Sequence, residues 1–316
     1  MWGRIPLASA PVAQWIRALA CGAIGRVFES RQGRLAERES SRSFLWTRMP
    51  TKRQILLTND DGIKSPGLWA AAEALSALGY VTVAAPREQS SGTGRSLPLS
   101  SDGIISPETV TVHGKDWTVY AVGGTPAQAV LHGILEIMPQ KPDLVVSGIN
   151  YGENVATGVS ISGTVGAAME AASVNIPALA ASLETPHDKH LSYDTDVDFS
   201  TAAHFTALFA QALLEKRFPP DVMLLKLDVP SNATPQTPWV MTRLSRQRYF
   251  LPVKPQRRSW DEPAKVGYTE TSTIINEPTD SDVYVMRVAR KVSLTPLSLD
   301  FTSRVDLKDV ERILRS

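Results

Sequence analysis

Two adjacent carboxylates, Asp60 and Asp61, follow directly on the apolar run Ile55-Leu56-Leu57 inside the tetrad Asn59-Asp60-Asp61-Gly62. Each of two like charges at the end of a buried strand raises the cost of ionising the other, and a cation between them removes the conflict. The bland alternative is a solvated turn, for which Asn, Asp and Gly are the ordinary residues. Further loops bear on the choice. After a second apolar run come Ser90, Ser91 and Gly92; after a third, Asp143 to Ser147, come Gly148, Ile149, Asn150 and Asn154. Taken singly, Ser91 reads as a surface hydroxyl and Asn150 as a turn residue. Their joint occurrence after successive strands favours a ligand set. Carboxylate, amide and hydroxyl oxygens without imidazole or thiolate suit a hard ion such as Mg²⁺ or Mn²⁺ and disfavour zinc. The tripeptide Ser162-Gly163-Thr164 opens a run of small residues, Val165 to Met169. A helix starting there offers free N–H groups and a positive dipole end to an anion. Ser162 or Thr164 serving only as an N-cap is the competing reading, and the two can coexist. A cation beside a phosphate seat is the layout for phosphoryl transfer to water.

The elements that must position these residues alternate short apolar runs with longer helical stretches, the pattern of parallel strands joined by crossover helices. The fold class is α/β with a mostly parallel sheet. The spacing predicts strands over Ile55–Thr58, Tyr80–Ala85, Thr109–His113, Trp117–Val122, Asp143–Ser147, Ala178–Ser182 and Val222–Leu227. Helices are expected from Pro66 to Gly79, Thr125 to Met138, Thr164 to Val174 and Phe199 to Glu215. From Trp239 onward the text turns β-rich and Pro-rich, with strands expected near Val283–Val288 and Val292–Leu294 and a closing helix over Leu307–Leu314. Open parallel sheets bind ligands outside the carboxyl ends of their strands, where the three oxygen-rich loops fall.

The 316 residues are 43% hydrophobic and 21% charged, enough for one large α/β domain or two small ones, and the formal charge of +1 gives no sign of nucleic-acid duplex or membrane binding. That charge is uneven. Residues 1–48 hold eight Arg and three Glu with no Lys or Asp, a formal +5, so the remainder carries about −4. Arg17 interrupts the leader's one apolar stretch, which fits a secretory signal poorly; a transit-like peptide and a disordered extension are alternatives. The run from Ala10 to Arg31 resembles peptides obtained when a transfer-RNA gene is translated, and synthesis is expected to begin at Met49, leaving 49–316 as the working domain with a core over about 54–230 and a β-rich region over about 238–316. The single cysteine, Cys21, lies in this leader, so the body has no thiol for a disulfide, a nucleophile or a zinc site. No apolar run approaches the ~20 residues of a membrane span, and the expected location is the cytoplasm. The chain lacks the Gly-x-Gly-x-x-Gly and Gly-x-x-x-x-Gly-Lys-Ser/Thr loops, which argues against hydride transfer and ATP hydrolysis.

The ordered strings Ile55 to Gly62 with Pro66-Gly67, Ala85-Pro86 leading to Ser91-Gly92, Gly124-Thr125-Pro126, Ser147 to Asn150 with Gly152 and Asn154, Ser162 to Val165, and Ser293 to Leu297 resemble the stationary-phase survival protein SurE family. The resemblance implies a metal-dependent 5′-nucleotidase of nucleoside monophosphates, with a Rossmann-like three-layer core around the mostly parallel sheet, one divalent cation per subunit and a β-rich C-terminal extension used to build a homodimer or homotetramer. It implies Asp60, Asp61, Ser91 and Asn150 as metal ligands, and Asn59, Gly92, Asn154, Ser162, Gly163 and Thr164 around the phosphate, with Asp60, Asp61 and Asn154 as the catalytic set. Some family members carry an Asp and a His before the final Thr-Pro-Leu as a candidate acid/base pair; here no His follows His204, and Asp282 is the nearest equivalent. The five histidines, His113, His132, His187, His190 and His204, all lie outside the ligand loops and read as structural or surface residues, with His187 and His190 in a solvated loop. Arg257-Arg258 beside Trp260 reads as an exposed charged hairpin. Two rival functions are a nucleotide-sensing protein without turnover and a metal hydrolase of a non-phosphate bond.

Overall fold

The computed structural model describes residues 52–112, 114–186, 189–190, 196–271 and 276–316. The Arg-rich leader, Met49, His113 and His187 lie outside the described residues.

Strand β1 (Arg53–Thr58) is central. It pairs in parallel with β2 (Gly79–Pro86) on one side and with β5 (Leu144–Tyr151) on the other. Beyond β2 lie β4 (Lys115–Val122), parallel to it, and β3 (Ile105–Val112), antiparallel to β4. Beyond β5 lie β6 (Ala178–Leu183) and β7 (Leu224–Val229), both parallel. The chain therefore winds outward in one direction, returns to the centre, and winds outward in the other. The reversal falls between β1 and β5, the place where an open α/β sheet forms a crevice at its strand ends.

Ile55, Leu56 and Leu57 are all fully buried because helices cover both faces of β1. Successive side chains of a strand point to opposite faces. Ile55 and Leu57 join the cluster that contains Leu68 of α1 (Pro66–Ser76) and Phe205 of α4 (Ser200–Glu215). Leu56 joins the other, with Val130 of α2 (Pro126–His132) and Val165 of α3 (Gly163–Ser173). Pro66 at the first turn of α1 has its φ preset for helix, and Thr125 caps α2 with a complete capping box.

Three elements differ from their sequence reading. The expected helix over Thr125–Met138 ends as α-helix at His132 and continues as a π-helical turn over Gly133–Ile137, closed by Met138 N–H on Gly133 O. The strand expected at Val283–Val288 is a helix, α5 (Asp282–Arg287). β-Branched residues suggested the strand, but the Ser281 hydroxyl accepts from Tyr284 N–H as an N-cap, and Val283 and Met286, three apart, are both buried. Finally, β11 (Val292–Leu297) pairs antiparallel with β7, and β8 (Trp239–Met241) pairs in parallel with β11, so part of the C-terminal region completes the core sheet. Strands β9 (Phe250–Val253) and β10 (Gly267–Glu270) form a separate hairpin, and α6 (Leu307–Arg315) closes the chain.

Candidate active site

The β1 carboxylates are both buried, Asp60 at 5% and Asp61 at 2% exposure. A solvated turn is thereby ruled out for the tetrad. Asn59 makes the turn itself: its amide donates to Gly62 O at 3.0 Å and accepts from Gly62 N–H at 3.1 Å. That side chain is committed to shaping the loop.

Asp60 ties three stretches of chain together. Its Oδ1 accepts from the Thr164 hydroxyl at 2.5 Å, and its backbone oxygen accepts from Ser90 N–H at 2.7 Å. The start of α3 packs directly on it. A Cβ on Gly163 would lie 2.7 Å from Asp60 Cβ and 2.8 Å from its Oδ2, so the approach requires glycine. Asp61 reaches the β5 loop, where its Oδ2 accepts from Tyr151 N–H at 3.2 Å, and Gln89 adds a 3.4 Å contact to Oδ1.

Both carboxyl groups lie above the ordinary carboxylate range. Burial is the main cause for Asp60, opposed by the Thr164 hydroxyl and by backbone N–H groups that include those of Gly163 and Thr164. Asp61 lies well above it, first through burial and then through the charge of Asp60. The fold has thus collected two carboxylates that resist joint ionisation, which is the condition a bound cation relieves.

Asn150 uses its Nδ2 to donate to Tyr151 O at 3.1 Å and Gly152 O at 2.7 Å, which leaves its Oδ1 as the donor oxygen. Ser91 is exposed one residue beyond the Ser90 anchor. Among the described residues no three His, Cys, Asp or Glu side chains cluster as a metal site.

On the anion side, the Ser162 hydroxyl accepts from Val165 N–H as the N-cap of α3, while Gly163 and Thr164 face Asp60. Cap and carboxylate anchor therefore coexist at this helix start. Gly92 has φ +74° with open space where a Cβ would point. Asn154 donates from Nδ2 to Ser182 Oγ at 2.8 Å, at the end of β6. A polar cavity of about 280 Å³, lined by Arg87, Ser90, Ser101, Asp102 and Gly124, opens beside the Ser90 loop.

Several groups near the site were not expected from the sequence. His190 is buried, with Nε2 3.1 Å from Thr185 O, and packs so closely on Gly152 that a Cβ there would lie 2.6 Å from the ring; the solvated-loop reading does not hold for it. Gln89 donates to His190 O at 2.9 Å as well as contacting Asp61. Asp282 is fully buried, with both carboxylate oxygens engaged by the Lys226 ammonium and three backbone N–H groups, the contacts of a structural anchor. Glu153 is buried beneath Tyr249, whose hydroxyl donates to it at 2.9 Å and also to Glu270 at 3.2 Å.

A sequence profile described as Survival protein SurE matches residues 55–250. A 5′-nucleotidase SurE of Thermococcus kodakarensis is 41% identical over 263 residues, covering 83% of this chain and 98% of that protein. One from Methanocella arvoryzae is 40% identical over 267 residues, covering 83% and 98%. The crystal structure of the SurE protein from Aquifex aeolicus superposes with a TM-score of 0.64 at 29% identity, over 83% of this chain and 99% of that one.

Proposed function

The chain belongs to the SurE family, and we propose that it is a divalent-metal-dependent 5′-nucleotidase that hydrolyses nucleoside 5′-monophosphates to nucleoside and phosphate. The observation that carries this reading is the contact of the Thr164 hydroxyl with Asp60, which joins a pair of buried carboxylates to a helix start at the reversal point of the sheet.

Asp60, Asp61, Ser91 and Asn150 would hold one divalent cation, Mg²⁺ or Mn²⁺. The chemistry such an ion would supply there is polarisation of a phosphoryl group and a lowered pKa for water. The chain's own contribution is placement. Thr164 and the N–H groups beside it fix one Asp60 oxygen, and Tyr151 N–H and Gln89 fix Asp61, so neither carboxylate has to reorganise when charge builds on the phosphate. Asn59, Gly92, Asn154, Ser162, Gly163 and Thr164 surround the phosphate position, with the positive end of α3 directed at it.

Phosphate release from AMP or GMP with Mn²⁺, against an EDTA control, tests the reading and separates it from nucleotide sensing without turnover. Asp60→Asn and Asp61→Asn should each abolish turnover in a folded protein. Full activity in both variants overturns the assignment.

We further read the protein as a cytoplasmic homodimer or homotetramer. None of its described helices is long and apolar enough to cross a membrane. Helix α6 supports assembly: Leu307, Val310, Ile313 and Leu314 recur at helical spacing and stay exposed, an apolar stripe with no partner among the described residues. Sedimentation of the intact protein and of a variant with Ile313 and Leu314 replaced by Ser measures this; an unchanged oligomer removes α6 from the interface.

A further inference from the structure

In the loop that leaves β5, two backbone N–H groups end on carboxylates from much later in the chain. Asn154 N–H donates to Asp228 Oδ1 at 2.8 Å, and Ala156 N–H donates to Asp282 Oδ2 at 2.9 Å. Lys226 joins the two acceptors, its Nζ in contact with Asp228 Oδ2 and 3.2 Å from Asp282 Oδ2. All three side chains are fully buried. The other oxygen of Asp282 accepts from Ser245 and Val283 N–H, each at 2.9 Å. At Ala156, the second clamped position, the backbone reaches φ +56°, a conformation that non-glycine residues keep only where their surroundings impose it.

Stability alone does not account for three buried charges here, because well-packed apolar side chains of the same volume are commonly as stable or more so. What the charges add is direction: full acceptors, fixed by an ammonium, aimed at two N–H groups on either side of Val155. The segment they fix carries Asn154. We propose that Lys226, Asp228 and Asp282 are positioning residues that set Asn154 against the substrate phosphate, a role that rests on the nucleotidase reading above.

Asp282→Asn tests it. The change is isosteric, leaves Lys226 and Asp228 as a neutral pair, and supplies one oxygen where two were in use. With a cooperative melt retained, inorganic phosphate should compete about 10-fold more weakly and kcat should fall between about 10- and 100-fold, the scale of an ~1 Å displacement. The Mn²⁺ activation midpoint, set by Asp60, Asp61, Ser91 and Asn150, should stay within about twofold. General loosening of the fold moves both quantities. The pair Lys226→Met with Asp228→Asn removes one charge of each sign and should give the same split. Hydrogen exchange on the unmodified protein needs no variant to fold: the Asn154 and Ala156 amides should exchange as slowly as the central strands. Loop-like exchange at both amides, or unchanged phosphate competition and kcat in a folded variant, overturns the positioning role. A wild type that releases no phosphate from AMP overturns the nucleotidase reading along with it.

Discussion

Glu153 lies one residue before Asn154, and burial pushes its carboxyl up from 4.5 to about 7, with the charges of Glu184 and Glu270 adding to the rise and hydrogen bonds from its own backbone and from Tyr249 opposing it. As pH rises from 4.5 to about 7 the unfolded chain loses this proton while the folded protein keeps it. The folded state therefore loses stability through that window, and above it the loss is complete at about 3 kcal/mol. Glu153→Gln removes the titration. The amide retains an oxygen for the Tyr249 hydroxyl, but it places an NH₂ where Oε2 now lies without a partner among the described residues, and it gives up the 3.8 Å approach of Arg287. Those costs, about 1–3 kcal/mol, are largely an offset independent of pH, so the slope carries the test. Melting wild type and variant in EDTA from pH 4.5 to 8 should show the variant gaining on the wild type by about 3 kcal/mol, or roughly 6–12 °C for a domain of this size. Parallel curves across that range would mean that Glu153 is ionised throughout and that its burial has been misread.

Thr164→Val keeps the shape of the α3 start but removes the 2.5 Å donor to Asp60; a hydrogen bond to a charged group is worth about 1.5–3 kcal/mol, so kcat/KM should fall between about 10- and 150-fold and the melting temperature should drop as well, and an unchanged kcat/KM removes Thr164 from the site. Gly163→Ala inserts a methyl 2.7 Å from Asp60 Cβ, which must push helix and strand end apart; activity should drop by at least 100-fold, and a variant of normal activity contradicts the close approach. Without divalent ions the two raised carboxyls make the protein lose stability as pH climbs through and above the ordinary carboxylate range, most strongly through Asp61. Mn²⁺ at about 100 times its Kd should restore about 2.7 kcal/mol. Asp61→Asn should melt no lower than wild type in EDTA at pH 8 and lose most of the Mn²⁺ shift; an equal shift in the variant places the ion elsewhere.

The sheet and the ligand loops were legible because their signals are local. Ile55 to Leu57 is a continuous apolar run, as a strand covered on both faces must be, and the residues that leave it are read directly from the sequence. The small residues of α3 likewise announce a helix packed close on its neighbours. What escaped notice depends on partners distant in sequence. Lys226 and Asp228 in β7 look like the polar positions of an alternating strand, and nothing nearby signals that both are buried; the explanation lies 54 residues beyond Asp228, at Asp282. Asp282 suggested acid/base chemistry only through the family resemblance, and the ammonium and three N–H groups that occupy its carboxylate come from stretches far apart in sequence. His190 and Glu153 were hidden in the same way, the first by a polar loop that folds back over Gly152, the second by Tyr249, 96 residues away.

These long-range contacts share a direction. The groups expected to touch metal and phosphate come from the N-terminal two-thirds of the chain, whereas Asp228, Tyr249, Asp282 and Arg287, which grip the loop between Asn150 and Ala156, come from β7 and the segments after it. A binding pocket that had only to recognise a phosphate would need the first set. A loop fixed on its underside by buried carboxylates, with Ala156 held at positive φ, is what an active site requires when the position of one amide must be kept while charge redistributes beside it. On that ground the arrangement favours turnover over sensing, with C-terminal segments supporting the loop that carries Asn154.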